Sequence, residues 1–200
     1  MADFVCEACG RKEFGEHSGK AVCSFCESEY KIEENGFSPE KVFPKEYVEL
    51  LEKAEEYREA ERKVRETLAL FDAIEMCGGT AKIWSRLSEL YRSSKLFDKA
   101  LECAENAIKS DDGYPKGYVE SGISLAVKLR YDEAIERYQK ALSIMDTENE
   151  EYVPALVNYA VAAAKTGDKQ TAAELIITAE AEGFENAPAL RKSLGISLFG

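Results

Sequence analysis

From residue 45 onward, apolar positions recur every three to four residues, the spacing of amphipathic helices. Leu50, Ala54 and Tyr57 mark one such face, and Val64, Leu68, Phe71 and Ile74 mark the next. Between them the chain reads Arg-Glu-Ala-Glu-Arg-Lys, with no cap or breaker. Residues 45–80 therefore predict a degenerate helical pair, with one continuous helix as the alternative. Pro44 suits the first position of the helix that opens this region. At the far end, Pro188-Ala189-Leu190 to Phe199 predicts a final helix that caps the array, placed within residues 187–200.

Between these ends the pattern repeats. Trp84 and Tyr118 are 34 residues apart, as are Phe97 and Tyr131, Asp98 and Asp132, Ala100 and Ala134, and Ala107 and Ala141. A third copy is offset by 38, from Ala134 to Ala172 and Ala141 to Ala179. The extra four residues fit an insertion near Asn149-Glu150-Glu151-Tyr152. Paired helices at this period predict an α-α superhelix, with units over 81–114, 115–148 and 153–186. Size matching supports the reading. Small residues at Ala100, Gly122, Ala134 and Ala172 let helices approach, and Trp84, Tyr91 and Tyr138 fill the spaces between pairs.

These residues resemble the tetratricopeptide repeat (TPR) pattern. The best copy runs Trp84-x2-Leu87-Ser88-x2-Tyr91, then Ala100-x3-Ala104-x2-Ala107. Ser88 stands where the pattern prefers glycine, and Asp112 stands near its usual proline. The second copy has Tyr118, Ser121, Gly122, Ala134, Tyr138 and Ala141. The third has Leu156, Tyr159, Ala160, a Gly167-Asp168 turn, Ala172 and Ala179. The expected fold class is an all-α TPR solenoid preceded by a small zinc-ribbon β module.

That module rests on four cysteines within residues 1–36. Cys6 and Cys9 form one Cys-x-x-Cys pair, Cys23 and Cys26 a second, and thirteen residues lie between the pairs. Each pair puts two sulfurs on one turn, and a hairpin between them would bring four thiolates to one point. That is the ligand set of a structural zinc site, and a segment this short needs such a staple. The arrangement resembles a zinc-ribbon (rubredoxin-like) knuckle pair, with Gly10 after Cys9 as in such knuckles and Glu27 departing from that pattern. Zn2+ is the expected cofactor; iron in the same cage, or a labile thiol pair, is the other chemistry these residues allow. His17 reads as an exposed hairpin residue, since four thiolates already fill a tetrahedral site. Residues 37–44, with two of the five prolines, read as a packed linker.

Composition narrows the function. The net charge is −12, and residues 1–40 hold four basic against nine acidic side chains. This disfavours direct nucleic-acid binding, which rests on Lys and Arg displacing counterions, and disfavours anionic membrane surfaces. No apolar run approaches the roughly 20 residues of a membrane-spanning helix, and the start lacks a signal-like basic and apolar stretch. A cytoplasmic protein with reduced thiols is the expectation. One histidine in the chain leaves little material for Ser-His or Cys-His catalysis, so no enzyme is expected. Cys77 and Cys103 read as small buried hydrophobes, and Glu55, Glu56, Glu59 and Glu61 as a solvated helix face.

The TPR resemblance implies a concave binding surface lined by the first helix of each repeat. In that register the groove residues are Lys82, Ser85, Glu89 and Arg92, then Lys116, Val119, Ile123 and Val127, then Val157 and Val161. The five aliphatic residues make an apolar strip, with Lys82, Arg92 and Lys116 beside it. The expected partner is a protein or peptide segment that is apolar or amphipathic. Burial of the strip under the C-terminal helix or a second subunit is the competing expectation, and homo-oligomerisation stays open with it. Ser85 and Glu89 occupy positions where the carboxylate clamp of some chaperone-binding TPR domains needs Lys and Asn, so chaperone tails are not expected ligands. The expected function is a non-enzymatic adaptor or assembly factor. The alternatives are ribbon-mediated association with nucleoprotein machinery, and a thiol redox or metal-handling role.

Overall fold

A computed structural model describes the backbone of four strands near the N-terminus and residues 45–196, with side chains from Glu46 onward. The strands are β1 Phe14–His17, β2 Lys20–Cys23, β3 Glu29–Glu33 and β4 Gly36–Val42. They form an antiparallel meander in the order β1-β2-β3-β4. Strand β4 occupies most of the stretch expected to be a linker. It pairs with β3 through Ile32↔Phe37 and Tyr30↔Lys41, with an irregularity between Tyr30 and Ile32. Pro39 lies inside β4, and β4 is an edge strand, the place where a residue without an N–H is tolerated. His17 ends β1, opposite Lys20 at the hairpin turn. Cys6, Cys9 and Cys26 lie outside the described residues.

Nine helices follow among the described residues. They are α1 Lys45–Glu59, α2 Lys63–Cys77, α3 Ala81–Ser93, α4 Phe97–Ser110, α5 Pro115–Val127, α6 Tyr131–Ser143, α7 Tyr152–Thr166, α8 Lys169–Ala181 and α9 Ala187–Leu194. They pack as successive antiparallel pairs, α1 with α2 through α7 with α8, and each pair stacks on the next. None of them is long and apolar enough to cross a membrane.

The odd-numbered helices end alike. Glu61, Lys95, Leu129 and Gly167 take left-handed backbone angles, at spacings of 34, 34 and 38 residues. In each case the next N–H reaches back five residues to a carbonyl: Arg62 to Tyr57, Leu96 to Tyr91, Arg130 to Leu125 and Asp168 to Ala163, at 2.7–3.0 Å. This is the Schellman closure, which satisfies carbonyls left over at a helix end. The first hairpin thus shares the period of the repeats, and residues 45–80 divide into two helices. Glu61 is what the sequence concealed, since a non-glycine residue costs about 1–2 kcal/mol in this conformation. Its helices bury Tyr47, Ala54, Leu70 and Ala73 against Leu87 and Leu90 of α3.

The small residues of the repeat pattern sit at helix crossings. Ala100, Ala104, Ala107, Ala134, Ala141, Ala172 and Ala179 are fully buried. Ser88 is accommodated because its hydroxyl donates to the Ala100 carbonyl at 2.8 Å, so the polar group is satisfied inside the α3–α4 contact. Trp84 covers Gly79 so closely that a Cβ there would lie 2.0 Å from the indole Nε1. Cys77 and Cys103 are buried, and burial pushes the Cys103 thiol up to about 12. Helix α9 packs on α8, with Leu190, Leu194 and Ile196 joining a core of Ala160, Ala163, Ala172 and Ile176. It closes the end of the array, and residues 197–200 lie outside the described ones.

Candidate functional site

Helices α3, α5 and α7 neighbour one another in turn, and the residues expected to line a groove lie on them. Pro115 opens α5 and Thr80 caps α3, accepting the Ile83 N–H at 3.3 Å. These starts fix the phase that carries Lys82, Lys116 and the residues following them round to one side.

The structure separates those residues into three groups. Ser85 and Val119 are fully buried, which corrects their expected place on an open surface. The cause is close packing of the helices around them: α3 on α4 and α5, and α5 on α4, α6 and α7. Val119 packs in a core with Tyr118, Ala141, Ala155, Ile108 and Met145. Ser85 Oγ has no hydrogen-bond partner among the described residues.

A second group is ionic, and its cations are paired. Lys116 Nζ bridges Glu89 Oε1 and Glu151 Oε1, each at 2.9 Å. Arg86 grips Glu66 through two nitrogens, Nε to Oε1 at 2.5 Å and Nη2 to Oε2 at 3.0 Å, and reaches Glu89 Oε2 with Nη1 at 2.6 Å. A ladder Glu66–Arg86–Glu89–Lys116–Glu151 therefore ties α2, α3, α5 and the start of α7. Burial alone would push the Glu89 carboxyl up, but Lys116 and Arg86 together hold it below the usual carboxylate range. The same two acids push the Lys116 ammonium above its ordinary value despite burial. Arg92 pairs with Glu120 at 3.2 and 3.3 Å. Here burial wins, and the Glu120 carboxyl lies above its ordinary value. Only Lys82 of the three expected groove cations makes no ion pair among the described residues, and it is exposed.

The third group is the apolar strip, reduced to four members. Ile123, Val157 and Val161 are half-buried, and Val127 is exposed. Helix α9 docks on α8, so the expectation that it fills this strip is not what the described chain shows. Next to the ionic ladder lies a cleft of about 390 Å³. Its wall includes Leu51, Leu70, Ile83, Lys82, Arg86 and Lys116, drawn from α1, α2, α3 and α5.

Sequence reasoning missed Glu66, Arg86, Glu120 and Glu151. A signal existed for two of them. Glu66 falls on the buried stripe of Ala69, Leu70, Ala73 and Cys77, and Glu120 lies within the continuously buried run from Gly117 to Gly122. A carboxylate at an apolar position predicts a buried basic partner. No group of metal-ligating side chains occurs among the described residues.

No protein-family model matches the chain, and no curated protein sequence matches it. Solved structures do. PilW, described as a widely conserved type IV pilus biogenesis factor, is 21% identical with a TM-score of 0.66, covering 76% of this chain and 72% of its own. PilF of Pseudomonas aeruginosa is 18% identical with a TM-score of 0.64, covering 74% of this chain. This chain spans 66% of that protein, just under two thirds. YrrB, described as a TPR protein with an unusual peptide-binding site, is 15% identical with a TM-score of 0.61, covering 74% of both chains. The helical region has the fold of a TPR solenoid. At this identity the likeness concerns the fold alone.

Proposed function

We propose that this chain is a non-enzymatic adaptor or assembly factor that holds a segment of a partner protein along the inner face of its TPR solenoid. The observation that carries this reading is the division of that face. One end is an ion-lined cleft, and the other is the half-open row of Ile123, Val127, Val157 and Val161. The fitting partner is an amphipathic segment whose apolar side chains lie on the valine row and whose polar end enters the cleft. Because Arg92 and Lys116 are already paired, Lys82 is the cation left to meet a carboxylate. The description of YrrB as a peptide binder on a similar fold supports the reading.

The test is capture of tagged protein from a reduced native lysate, with and without nuclease. A defined protein that survives nuclease and is lost from Val157→Asp/Val161→Asp, with helical content unchanged, supports the groove. Capture indifferent to the double substitution removes it. Capture abolished by nuclease favours the nucleoprotein reading.

We further propose that Cys6, Cys9, Cys23 and Cys26 hold one structural Zn2+, in a chain suited to a reducing compartment. The support is the β1–β2 hairpin, which starts after the first pair, ends on Cys23 of the second, and sets Phe14, five residues after Cys9, opposite that cysteine. The expected result is one zinc per chain by elemental analysis, with chelation abolishing the strand signal and leaving the helical melt in place. A metal-free preparation that keeps its strands sinks the proposal.

A further inference from the structure

We propose that the edge of the solenoid formed by the turns after α1, α3, α5 and α7 is a second docking surface, for an acidic protein segment bearing large apolar side chains. These helices run in the same sense, so their closing turns fall in a row along one edge. Four large aliphatic side chains are exposed there: Val64, Leu96, Leu129 and Val127, the last shared with the end of the groove row. Leu129 stands out twice over. It is 71% exposed and also left-handed, with φ at 62°, although glycine fills the corresponding place in the third repeat at Gly167. The Leu129 backbone serves the turn that ends α5, but its side chain is projected into water and adds nothing visible to the core.

Charge identifies the occupant. Over residues 58–64, 92–98, 126–132 and 164–170 the chain carries nine Lys or Arg against five Asp or Glu, in a protein of net charge −12. The opposite edge, over 75–82, 108–116, 143–152 and 180–188, carries three against ten. Four of these nine cations are tied locally, Arg58 to Glu55, Arg92 to Glu120, Lys128 to Asp98 and Arg130 to Glu133. Arg62, Lys95 and Lys165 are exposed and make no ion pair among the described residues. An acidic segment is thus drawn to this edge and repelled from the other, and its apolar side chains find the four aliphatic anchors. A single strand or helix can follow the line of turns. A flat anionic bilayer must also face the acidic remainder of the molecule.

The experiment is to pan a randomised peptide-display library on the full chain and measure the enriched peptides by fluorescence anisotropy. Expected peptides carry Asp or Glu around one or two large apolar residues, and bind at least tenfold more weakly to Leu96→Glu/Leu129→Glu. Both positions are exposed, so this variant should melt with the parent. Lys95→Glu/Lys165→Glu gives an independent reading with the same expected loss. Basic or uncharged enriched peptides, no enrichment, or full retention by both double variants overturns the proposal. Loss on Val161→Asp alone assigns the peptides to the groove and also overturns it. Co-sedimentation with vesicles of 30% phosphatidylserine, lost on Lys95→Glu/Lys165→Glu, replaces the peptide with a lipid surface.

Discussion

Arg86→Met is expected to destabilise the helical region by about 3–5 kcal/mol, the usual penalty for stripping the partner from a buried charge. The Glu66 side chain is only 3% exposed, and both of its oxygens are held by Arg86. Without the guanidinium the carboxylate must stay charged in an apolar wall or be neutralised. Ala69, Leu70 and Ala73 are buried on the same stripe of α2, so replacement water must come from the cleft that Glu66 lines. Glu89 would lose one of its two cations and keep Lys116. The effect should therefore come mainly from Glu66.

That attribution has its own check. Glu66→Leu/Arg86→Met removes both charges and puts apolar volume in their place, so it should recover most of the loss. The measurement is the thermal midpoint of the helical signal. For a chain of this size the single substitution should lower it by roughly 10 °C. A single variant melting within a degree or two of the parent would mean that the pair is freely hydrated and the ladder does not brace α2 against α3.

The contrast between Glu66 and the repeats shows what was legible in the sequence. The three repeat pairs were readable because each rests on local size matching: Ala100, Ala134 and Ala172 at crossings, with Trp84 and Tyr138 filling space. The division of 45–80 was ambiguous because Glu61 performs the turn that glycine performs at Gly167, and the Schellman closure is made of backbone groups with no required side chain. The repeat register placed Lys82, Glu89, Lys116 and the valines on the inner helices. It could not show that Ser85 and Val119 go under the surface, since that depends on how closely α3 and α5 pack against their neighbours. Nor could it show that Lys116 is engaged. Its partners come from two other elements, Glu89 on α3 and Glu151 ahead of α7, and Glu151 lies in the four-residue insertion. The insertion thus supplies an internal tie.

Gly122→Ala should destabilise by about 1–3 kcal/mol, the range for overpacking a closed core. This runs against the local rule, for alanine is better than glycine inside a helix by roughly 1 kcal/mol. The reason is the ring of Tyr138. A Cβ on residue 122 would lie 2.5 Å from Cε1, 2.8 Å from Cζ and 2.9 Å from Cδ1. The ring is 1% exposed and packed among Leu125, Ala134 and Ala162, so it has nowhere to swing. Either α5 and α6 separate, or the ring leaves its preferred rotamer. Tyr138→Leu separates these effects. It costs about 2–4 kcal/mol alone, as a large-to-small change in a core. In its background Gly122→Ala should become neutral or mildly stabilising, because the obstructing ring is gone and only helix propensity remains. If Gly122→Ala raises the midpoint in the parent, the α5–α6 crossing is looser than the structure shows, and close approach at the repeat glycine is not what sets the stacking of the second repeat.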